Sequence, residues 1–217
     1  VIRDAHTRTV TPDCRIYKFT ILKYSETIDP IMSYIGYDEE KIEVKGSALF
    51  SNDKMVGSIG LIETGLLHAL MGEKIRFGYF IKAQRVDEEA DPDKRGTAIL
   101  LRGVKRKVKA NLDGTIPEFD INLNFTGTVD EIDLDYRLDE PEEKKKLEEK
   151  VAMLIQQDCM KLLGYLQEIG SDPVGFGETI RAKNNEYFKT VNWKTIYPKV
   201  KFNVDAKLNL EFQGAIN

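Results

Sequence analysis

Alternation of hydrophobic and polar residues predicts β-strands in several parts of the chain. The strictest alternation lies at residues 199–212, where every second residue is apolar. Residues 97–110 and 116–129 alternate as well, and the Asp113-Gly114 pair between them is typical of a tight turn with positive φ angles. The pattern therefore predicts a long antiparallel hairpin with one solvated face.

Shorter strands are predicted in the first half of the chain from the same period. They cover residues 15–23, 42–45 continuing into 47–50, 55–59, and 77–86. The polar segment Ser51-Asn52-Asp53-Lys54 predicts a hairpin turn, and the segment around Asp29-Pro30 predicts a loop.

Helical spacing appears in four other segments. Residues 63–71 predict a short helix that ends at Gly72, and residues 141–169 predict a long helix that ends at Gly170 and carries an apolar stripe on its second half. Residues 172–181 and 184–193 predict two shorter helices. The fold class expected from these elements is α+β, with a mostly antiparallel sheet and a long hairpin, packed by one long helix and two shorter helices.

Composition narrows the function without assigning one. The chain has 217 residues, of which 41% are hydrophobic and 31% charged, and its formal net charge is −4. This composition supports a packed core, and the slight acidic excess argues against an electrostatic nucleic-acid binder. No apolar run reaches the 18 or more residues of a membrane-spanning helix.

Residue types that carry out catalysis are scarce. The chain has only His6 and His68, and only the cysteines Cys14 and Cys159. Cys159 falls on the apolar side of the long predicted helix and is expected to be a buried, inert thiol; its distance from Cys14 is left open. No P-loop, nucleophile elbow or HExxH motif occurs. We therefore predict no enzyme activity, no catalytic residue, no cofactor and no metal centre.

An acidic segment follows the second strand of the long hairpin. Asp130, Asp133 and Asp135 alternate with aliphatic residues, which is typical of a charged strand edge. A weak cation site at these three residues, with metal-dependent hydrolase chemistry, is the alternative. It is disfavoured because Tyr136 stands where a calcium loop of the EF-hand type needs glycine.

A basic run lies in the first strand of the long hairpin. Lys105, Lys107 and Lys109 are predicted on one face, and Arg106 lies between two valines on the other. One interpretation is a solvated sheet face. The other is a cationic surface for anionic lipid headgroups or an acidic partner, where each lysine contributes about 1 kcal/mol.

Two small motifs are expected to serve packing. The segment Gly175-Phe176-Gly177 matches only half of a dinucleotide fingerprint and lacks a preceding strand, so we expect it to allow close packing at a turn or helix start. Phe188, Trp193 and Tyr197 are expected to form an aromatic cluster in the core or at an interface.

Several motifs follow one another in a fixed order. They are Val44-Lys45-Gly46-Ser47-Ala48-Leu49-Phe50, Asp53-Lys54-Met55-Val56-Gly57, Glu63-Thr64-Gly65-Leu66-Leu67, Asp172-Pro173-Val174-Gly175-Phe176-Gly177-Glu178, the segment from Phe188 to Tyr197 with Trp193, and an alternating strand that ends at Gly214. This ordered set resembles the C-terminal domain of spore germination receptor C subunits, the Ger(x)C lipoproteins of spore-forming bacteria. Phe188 departs from the family, in which Trp is usual. The resemblance implies that residues 44–217 form this domain and that residues 1–43 are the tail of a preceding, truncated domain, with residues 15–23 paired into its sheet.

The resemblance also implies a role. The chain is expected to be a non-catalytic subunit of a nutrient (germinant) receptor, lipid-anchored on the outer side of the spore inner membrane and assembled with integral-membrane receptor subunits. The lipid-modified cysteine is expected upstream, because Thr11-Pro12-Asp13 rather than an apolar run precedes Cys14. The alternative is a small-molecule germinant-binding module, which needs a pocket with convergent polar groups that the sequence does not reveal.

Overall fold

Two β-sheets share one hydrophobic core in the computed structural model of the chain, which describes residues 11–12, 15–38, 41–86, 96–132 and 137–211. The strands in these ranges are β1 (Ile31–Asp38), β2 (Lys41–Ser51), β3 (Lys54–Ile59), β4 (Phe77–Ile81), β5 (Thr97–Asn111), β6 (Glu118–Ile132) and β7 (Lys201–Leu210). The helices are α1 (Ile16–Leu22), α2 (Leu61–Met71), α3 (Ala83–Val86), α4 (Pro141–Glu168), α5 (Phe176–Lys183), α6 (Asn185–Thr190) and α7 (Trp193–Ile196), and a 3-10 turn (Tyr197–Lys199) follows α7. The α+β class predicted from the sequence is confirmed.

The first sheet has the order β1-β2-β3, and both pairs are antiparallel. The predicted turn between β2 and β3 is confirmed, with Asn52 in the left-handed region at φ 59°. The loop predicted around Asp29-Pro30 is confirmed for residues 23–30 but ends there, because β1 follows and pairs with β2 from Ile31–Leu49 to Asp38–Lys41. The alternation in β1 is weak because the end of the β1–β2 pair around Asp38 and Lys41 extends beyond β3, where both faces of the sheet are open to solvent.

Residues 15–23 are not a strand. They contain α1, so the expected pairing into the sheet of a preceding domain is wrong as well. Phe19 and Leu22, three residues apart, are half-buried, and the Phe19 ring packs on Phe50 with a centroid distance of 4.9 Å. Ile16 and Tyr17 are each 78% exposed, so the apparent alternation has no strand partner.

The second sheet has the order β4-β5-β6-β7. β5 and β6 form the predicted long hairpin, paired from Thr97–Ile132 to Asn111–Glu118. The predicted tight turn is wrong: residues 112–117 connect the strands, and neither Asp113 nor Gly114 has a positive φ. A connection of this length closes the hairpin without the left-handed residues that a two-residue turn requires.

The last strand joins the sheet in a direction that alternation does not predict. β7 lies beside β6 and runs parallel to it, from Glu118–Lys201 to Gly127–Leu210. A parallel neighbour requires a crossover, and residues 133–200 with α4 provide it. The sheet is mostly antiparallel, as predicted, with one parallel pair.

Residues 77–86 are only half strand, because β4 ends at Ile81 and α3 follows. Ala83 and Val86, three residues apart, are both buried, a spacing that one helical turn satisfies and an extended strand does not. The prediction of a strand as far as residue 86 is therefore wrong.

The predicted helices are confirmed with changed boundaries. α2 ends at Gly72 (φ 76°), and α4 is followed by Gly170 (φ 65°). The buried side of α4 packs against β7; its members include Leu147, Val151, Leu154, Ile155, Leu162 and Leu166. The predicted helix at residues 184–193 is split into α6 and α7. Among the described helices, none combines the length and apolarity needed to cross a membrane.

Candidate functional site

Asp172 is a buried carboxylate surrounded by donors. It precedes α5, which begins at Phe176 rather than at the predicted residue 172. Its Oδ1 accepts hydrogen bonds from the backbone N–H groups of Gly175 (2.9 Å) and Phe176 (3.1 Å), and its Oδ2 accepts from the N–H of Gly177 (2.9 Å) and from Trp193 Nε1 (3.0 Å). Burial raises the pKa of Asp172 to about 6, although these hydrogen bonds act in the opposite direction.

A second buried carboxylate, Asp29, lies directly beside the first. Its Oδ2 accepts from the Asp172 backbone N–H (2.8 Å), and its own N–H donates to the Asp172 carbonyl (2.9 Å). Both Asp29 oxygens lie 2.6 Å from Lys194 Nζ, and Oδ1 also accepts from the Asn52 N–H (3.0 Å). We call Asp29, Asp172, Trp193 and Lys194 the carboxylate clamp. It joins the segment before β1, the β2–β3 turn and the helices before β7.

The glycines beside the clamp explain why the Gly175-Phe176-Gly177 segment has its sequence. Gly175 has φ 79°, in the left-handed region. A Cβ on Gly177 would lie 2.7 Å from Trp193 Nε1 and 2.9 Å from the Thr27 carbonyl oxygen, so only glycine fits there without displacing a neighbour. The prediction of close packing is confirmed.

The aromatic cluster at the end of the helical region also has the predicted location. Phe188, Trp193 and Tyr197 are buried, and the rings of Trp193 and Tyr197 lie 5.6 Å apart. Because both carboxylates of the clamp are occupied by donors from distant segments of the chain, we interpret the clamp as structural.

A second polar group links β4, α3 and α4. Asp158 of α4 accepts a hydrogen bond from Tyr79 of β4 at Oδ2 (2.6 Å). The Arg85 guanidinium donates two hydrogen bonds to the same carboxylate, 2.8 Å to Oδ1 and 3.1 Å to Oδ2. Burial would raise the pKa of Asp158, but the hydrogen bonds from Arg85 and Tyr79 outweigh it and hold the pKa below its usual range. Burial and Asp158 raise the pKa of Tyr79 above its ordinary value.

These three side chains line a cleft of about 510 Å³, which we call the junction cleft. Its walls come from the end of β3, the first turns of α2, β4 with α3, and the middle of α4. It gathers charged side chains of both signs with apolar ones in one concave surface, which are features of a small-ligand site.

The predicted cationic residues lie on the outer face of β5. Lys105, Lys107 and Lys109 are exposed, whereas Val104, Arg106 and Val108 are half-buried toward the core. β4 pairs with β5 only as far as Leu101, so these lysines lie on a part of β5 whose second edge has no strand partner among the described residues. Their contact with a membrane or partner stays a prediction.

The acidic segment gives no metal site in the described ranges. Asp130 is exposed near the end of β6, and Asp133 and Asp135 lie outside the described residues. Within residues 11–12, 15–38, 41–86, 96–132 and 137–211, no group of three His, Cys, Asp or Glu side chains could hold a metal ion.

The remaining reactive residue types are buried or not described. Cys159 is a free, buried cysteine, as predicted, and burial raises the pKa of its thiol to about 12. His68 is buried in α2, with Nε2 3.9 Å from Glu73 Oε2. Cys14 and His6 lie outside the described residues, so the question of a Cys14–Cys159 contact stays open.

Sequence reasoning missed the carboxylate clamp and the junction cleft. Asp29 and Lys194 are 165 positions apart, and Arg85 and Asp158 are 73 apart. Helical periodicity at Ala83 and Val86 was a usable local signal, since it places Arg85 on a helix rather than on a strand. The long-range pairings have no local signal.

Known proteins share both the sequence pattern and the fold. The chain is 20% identical over 205 residues to the spore germination protein GerQC of Bacillus cereus, and the aligned region covers 94% of this chain and 55% of that protein. It is also similar to the crystal structure of the GerBC protein, with a TM-score of 0.74 and 19% identity over 92% of this chain and 61% of that chain. The chain therefore spans less than two thirds of the length of either relative.

A match to a protein-family model defines which residues of this chain belong to the family domain. The model for the spore germination B3/GerAC-like C-terminal domain matches residues 45–214, most of the chain and nearly the range of the ordered motifs. The resemblance found in the sequence is confirmed, and the chain belongs to this family of germinant receptor C subunits, which takes part in spore germination.

Proposed function

We propose that this chain works as a non-catalytic assembly subunit of a germinant receptor. It is held outside the spore inner membrane by a lipid attached upstream and binds membrane-embedded receptor subunits through its surface. Membership of the family supports the role in spore germination. The single observation that supports a binding surface on this chain is the row of exposed lysines on β5.

The neighbourhood of these lysines strengthens the argument for a cationic surface. Lys105 pairs across the sheet with Asn124, which pairs in turn with the exposed Lys207 of β7, so Lys207 lies on the same face as the three lysines of β5. Lys107 pairs with the neutral Asn122, whose β7 partner is Asp205, and Lys109 pairs with Asp120, so the cationic part of the face centres on Lys105, Lys107 and Lys207. A single lipid chain binds a membrane only marginally, and a cationic surface provides the second contact that stable binding requires.

A structural explanation competes with this proposal. Lysines on an unpaired strand edge prevent association with another sheet, and β5 beyond Leu101 is such an edge. Under that explanation the charge protects the strand but binds nothing, so replacing it would affect solubility rather than membrane or receptor association.

A charge-reversal experiment separates the two explanations. The test variant carries Lys105→Glu, Lys107→Glu and Lys109→Glu, and the chain is sedimented with anionic vesicles and with co-expressed receptor subunits. We expect association to be lost while stability changes by no more than about 0.5 kcal/mol per site, because solvated strand positions tolerate substitution.

The matched control makes the same change in charge elsewhere on the surface. It carries Lys145→Glu, Lys150→Glu and Lys189→Glu, all at exposed helical positions. We expect the control to sediment like the unchanged chain. Equal sedimentation of the test variant and the unchanged chain, with both vesicles and subunits, would remove the proposal.

The fixed state of the reactive groups supports the non-catalytic part of the proposal. The Cys159 thiol is buried with its pKa raised to about 12, so it is not a ready nucleophile. The carboxylates of Asp158 and Asp172 accept hydrogen bonds from neighbouring side chains and backbone groups. Measurable turnover of ester, peptide or phosphate substrates by the purified chain would contradict this part.

We also propose the division into residues 1–43, the tail of a preceding domain, and residues 44–217, the receptor domain. The tail is joined to the domain through the β1–β2 pairing and through Asp29. A fragment of residues 44–217 is expected to fold with lower stability than the whole chain. Failure of this fragment to fold would contradict the division.

A second candidate function is a small-molecule germinant-binding module. The junction cleft is the observation that favours it, because it brings together the convergent polar groups that the sequence does not reveal. Binding of a germinant to this isolated chain would support it directly.

A further inference from the structure

The second half of β5 has a strand on one side only. β4 pairs with β5 as far as Leu101, whereas β5 continues to Asn111. Among the strands that the structure describes, none lies beside this half on the side away from β6. A strand edge of this kind presents N–H and C=O groups with which a further strand can pair.

The hydrogen bonds of β6 show which peptide groups of β5 face the open side. At one end of β6 the Pro117 carbonyl accepts from the Lys201 N–H (3.2 Å), and at the other end the Gly127 carbonyl accepts from the Glu211 N–H (2.8 Å). Odd-numbered residues of β6 therefore bond to β7, and even-numbered ones bond to β5, where their partners have odd numbers. The peptide groups that point to the open side belong to Val104, Arg106 and Val108.

The same alternation shows where the open stretch ends. The carbonyl of Ala110, the next even-numbered residue, accepts a hydrogen bond from the Lys183 ammonium group of α5. A side chain thus occupies the position that a neighbouring strand would take there. We call residues 104–108, which lie between this contact and the end of β4, the β5 edge.

Arg106 is the unusual residue of the β5 edge. It is half-buried on the core side of the strand, where its Cδ would lie 3.1 Å from a Cβ on Gly72 at the end of α2. Its Nε is buried and has no hydrogen-bond acceptor within the described residues. Burial lowers the pKa of this arginine, because a charge removed from water without a counter-charge is costly. A carboxylate placed beside the guanidinium would relieve that cost.

The other side chains of the β5 edge define what could lie next to it. Val104 and Val108 are half-buried on either side of Arg106, and Lys105 and Lys107 are exposed on the opposite face. Every charged residue of β5 is basic. A neighbouring strand would therefore meet three consecutive cations between two valines.

We propose that the β5 edge binds an extended acidic segment of a partner protein as an added antiparallel strand. The segment has three consecutive acidic residues between two apolar ones: the central acid contacts Arg106, the outer acids contact Lys105 and Lys107, and the apolar residues contact the valines. The antiparallel direction follows β4, which pairs in this way on the same side of β5. The inference rests on the proposed function, because it uses the same lysines, and it names the kind of partner.

Other occupants fit the β5 edge less well. Anionic lipid headgroups can neutralise the exposed lysines, but they cannot pair with the backbone in register, and Arg106 lies on the opposite face of the strand. The β5 edge of a second copy, paired antiparallel about Arg106, would place arginine against arginine and lysine against lysine, which is destabilising. An acidic strand satisfies the backbone and both faces together.

Matched peptides test the strand pairing on the whole 217-residue chain. The probe is acetyl-Thr-Val-Glu-Glu-Glu-Val-Thr-amide, whose central glutamate directs its N–H toward β5 in the proposed register. N-methylation of that glutamate removes the hydrogen bond, whereas N-methylation of the glutamate after it changes an N–H that points away. By NMR titration we expect a Kd of about 1 mM or less for the probe, at least about tenfold weaker binding for the first analogue, and little change for the second.

Amide hydrogen exchange locates the bound peptide. We expect added protection at residues 104, 106 and 108, and none at 105 and 107, whose N–H groups already bond to β6. Arg106→Gln should weaken peptide binding at least about tenfold without lowering Tm, since it removes a charge that has no counter-charge. The control Lys201→Gln, at an exposed position on β7, should bind the peptide like the unchanged chain.

Several results would overturn the proposal. They are no binding at up to about 10 mM peptide, equal binding of the two N-methylated analogues, protection at other residues, or unchanged affinity in Arg106→Gln. If the peptide fails to bind while the triple lysine variant still loses vesicle or subunit association, strand addition is wrong and the assembly role stands. Failure of the assembly role has a different signature, which is unchanged sedimentation of the triple variant with both vesicles and subunits.

Discussion

Asp172→Asn is the substitution for which the structure gives the clearest magnitude. It keeps the shape of the side chain but replaces one carboxylate oxygen with an amide NH2. In the folded protein each oxygen accepts two N–H groups, from Gly175 and Phe176 at Oδ1 and from Gly177 and Trp193 at Oδ2. In either orientation of the new amide, its NH2 group faces two buried N–H donors, and these two donors lose their acceptor.

The expected cost follows from those two lost acceptors. A buried donor without an acceptor costs about 1–3 kcal/mol, and the two donors share one side chain that can shift slightly. The two unpaired donors alone are therefore expected to lower the free energy of unfolding by about 2–4 kcal/mol, which corresponds to about 4–16 °C in Tm for a chain of this size. Asparagine carries no charge, so the substitution also relieves the buried negative charge that raises the pKa of Asp172 to about 6, and this gain opposes the hydrogen-bond loss at pH values above about 6.

Urea unfolding followed by tryptophan fluorescence measures this change, since Trp193 is the only tryptophan and contacts Asp172. The measurement is made at about pH 4 and at about pH 8, because relief of the charge grows as the pH rises from the ordinary pKa of 3.8 to above the folded-state pKa of about 6. Asp205→Asn, at an exposed position on β7, is the control and is expected to change stability by no more than about 0.5 kcal/mol. The stability of Asp172→Asn relative to the unchanged chain should rise from about pH 4 to about pH 8, and a difference independent of pH would refute this reasoning.

Three other predictions follow from the same structure. The folded-state pKa of Asp158 lies below its ordinary value of 3.8, so its contribution to stability is present above about pH 4 and is lost as the pH falls through the folded-state value. The stability difference between the unchanged chain and Asp158→Asn should therefore shrink from about pH 7 to about pH 3 in urea titrations. A difference that stays constant would contradict this prediction. Gly177→Ala should lower Tm because the new methyl group forces Trp193 to move, at a cost of about 1–3 kcal/mol. Gly164→Ala places its methyl group in open space on a helix and should raise stability by up to about 1 kcal/mol. A change of stability with the same sign in both variants would be inconsistent with the packing. Cys159 should resist iodoacetamide at about pH 8 in the folded chain and react in urea, as read by peptide mass spectrometry, and labelling of the folded chain would show that the thiol is accessible.

Local patterns were sufficient for elements whose pattern and environment agree. The alternation in β7 predicted a strand with one buried face, because every even-numbered residue from Phe202 to Leu210 does face the core. The same pattern contains nothing about direction or neighbours, so the parallel pairing with β6 could not be inferred. α1 shows the opposite case, since a short apolar segment without a fully buried residue fits either period, and the strand predicted there is wrong.

The candidate sites show the same division between local and long-range information. Gly175 and Gly177 indicated a tightly packed turn, because glycine permits backbone geometry and close approach that other residues do not. Lys194 and Asp29 gave no comparable signal, since a buried ion pair depends on the fold bringing distant segments together. The charges in the junction cleft come from α2, α3 and α4, and only the packing of these helices places them side by side.

The parallel pairing of β7 affects the order in which the protein can fold during synthesis. Nearly seventy residues separate β6 from β7. The helix α4 therefore leaves the ribosome before β7, the strand against which it packs, has been synthesised. Until then the apolar side of α4 and one edge of β6 have no cover, and a nascent chain in this state is open to wrong associations. We infer that vectorial synthesis leaves this domain dependent on its last strand, so a premature stop before residue 201 would yield an aggregation-prone product rather than a smaller folded domain.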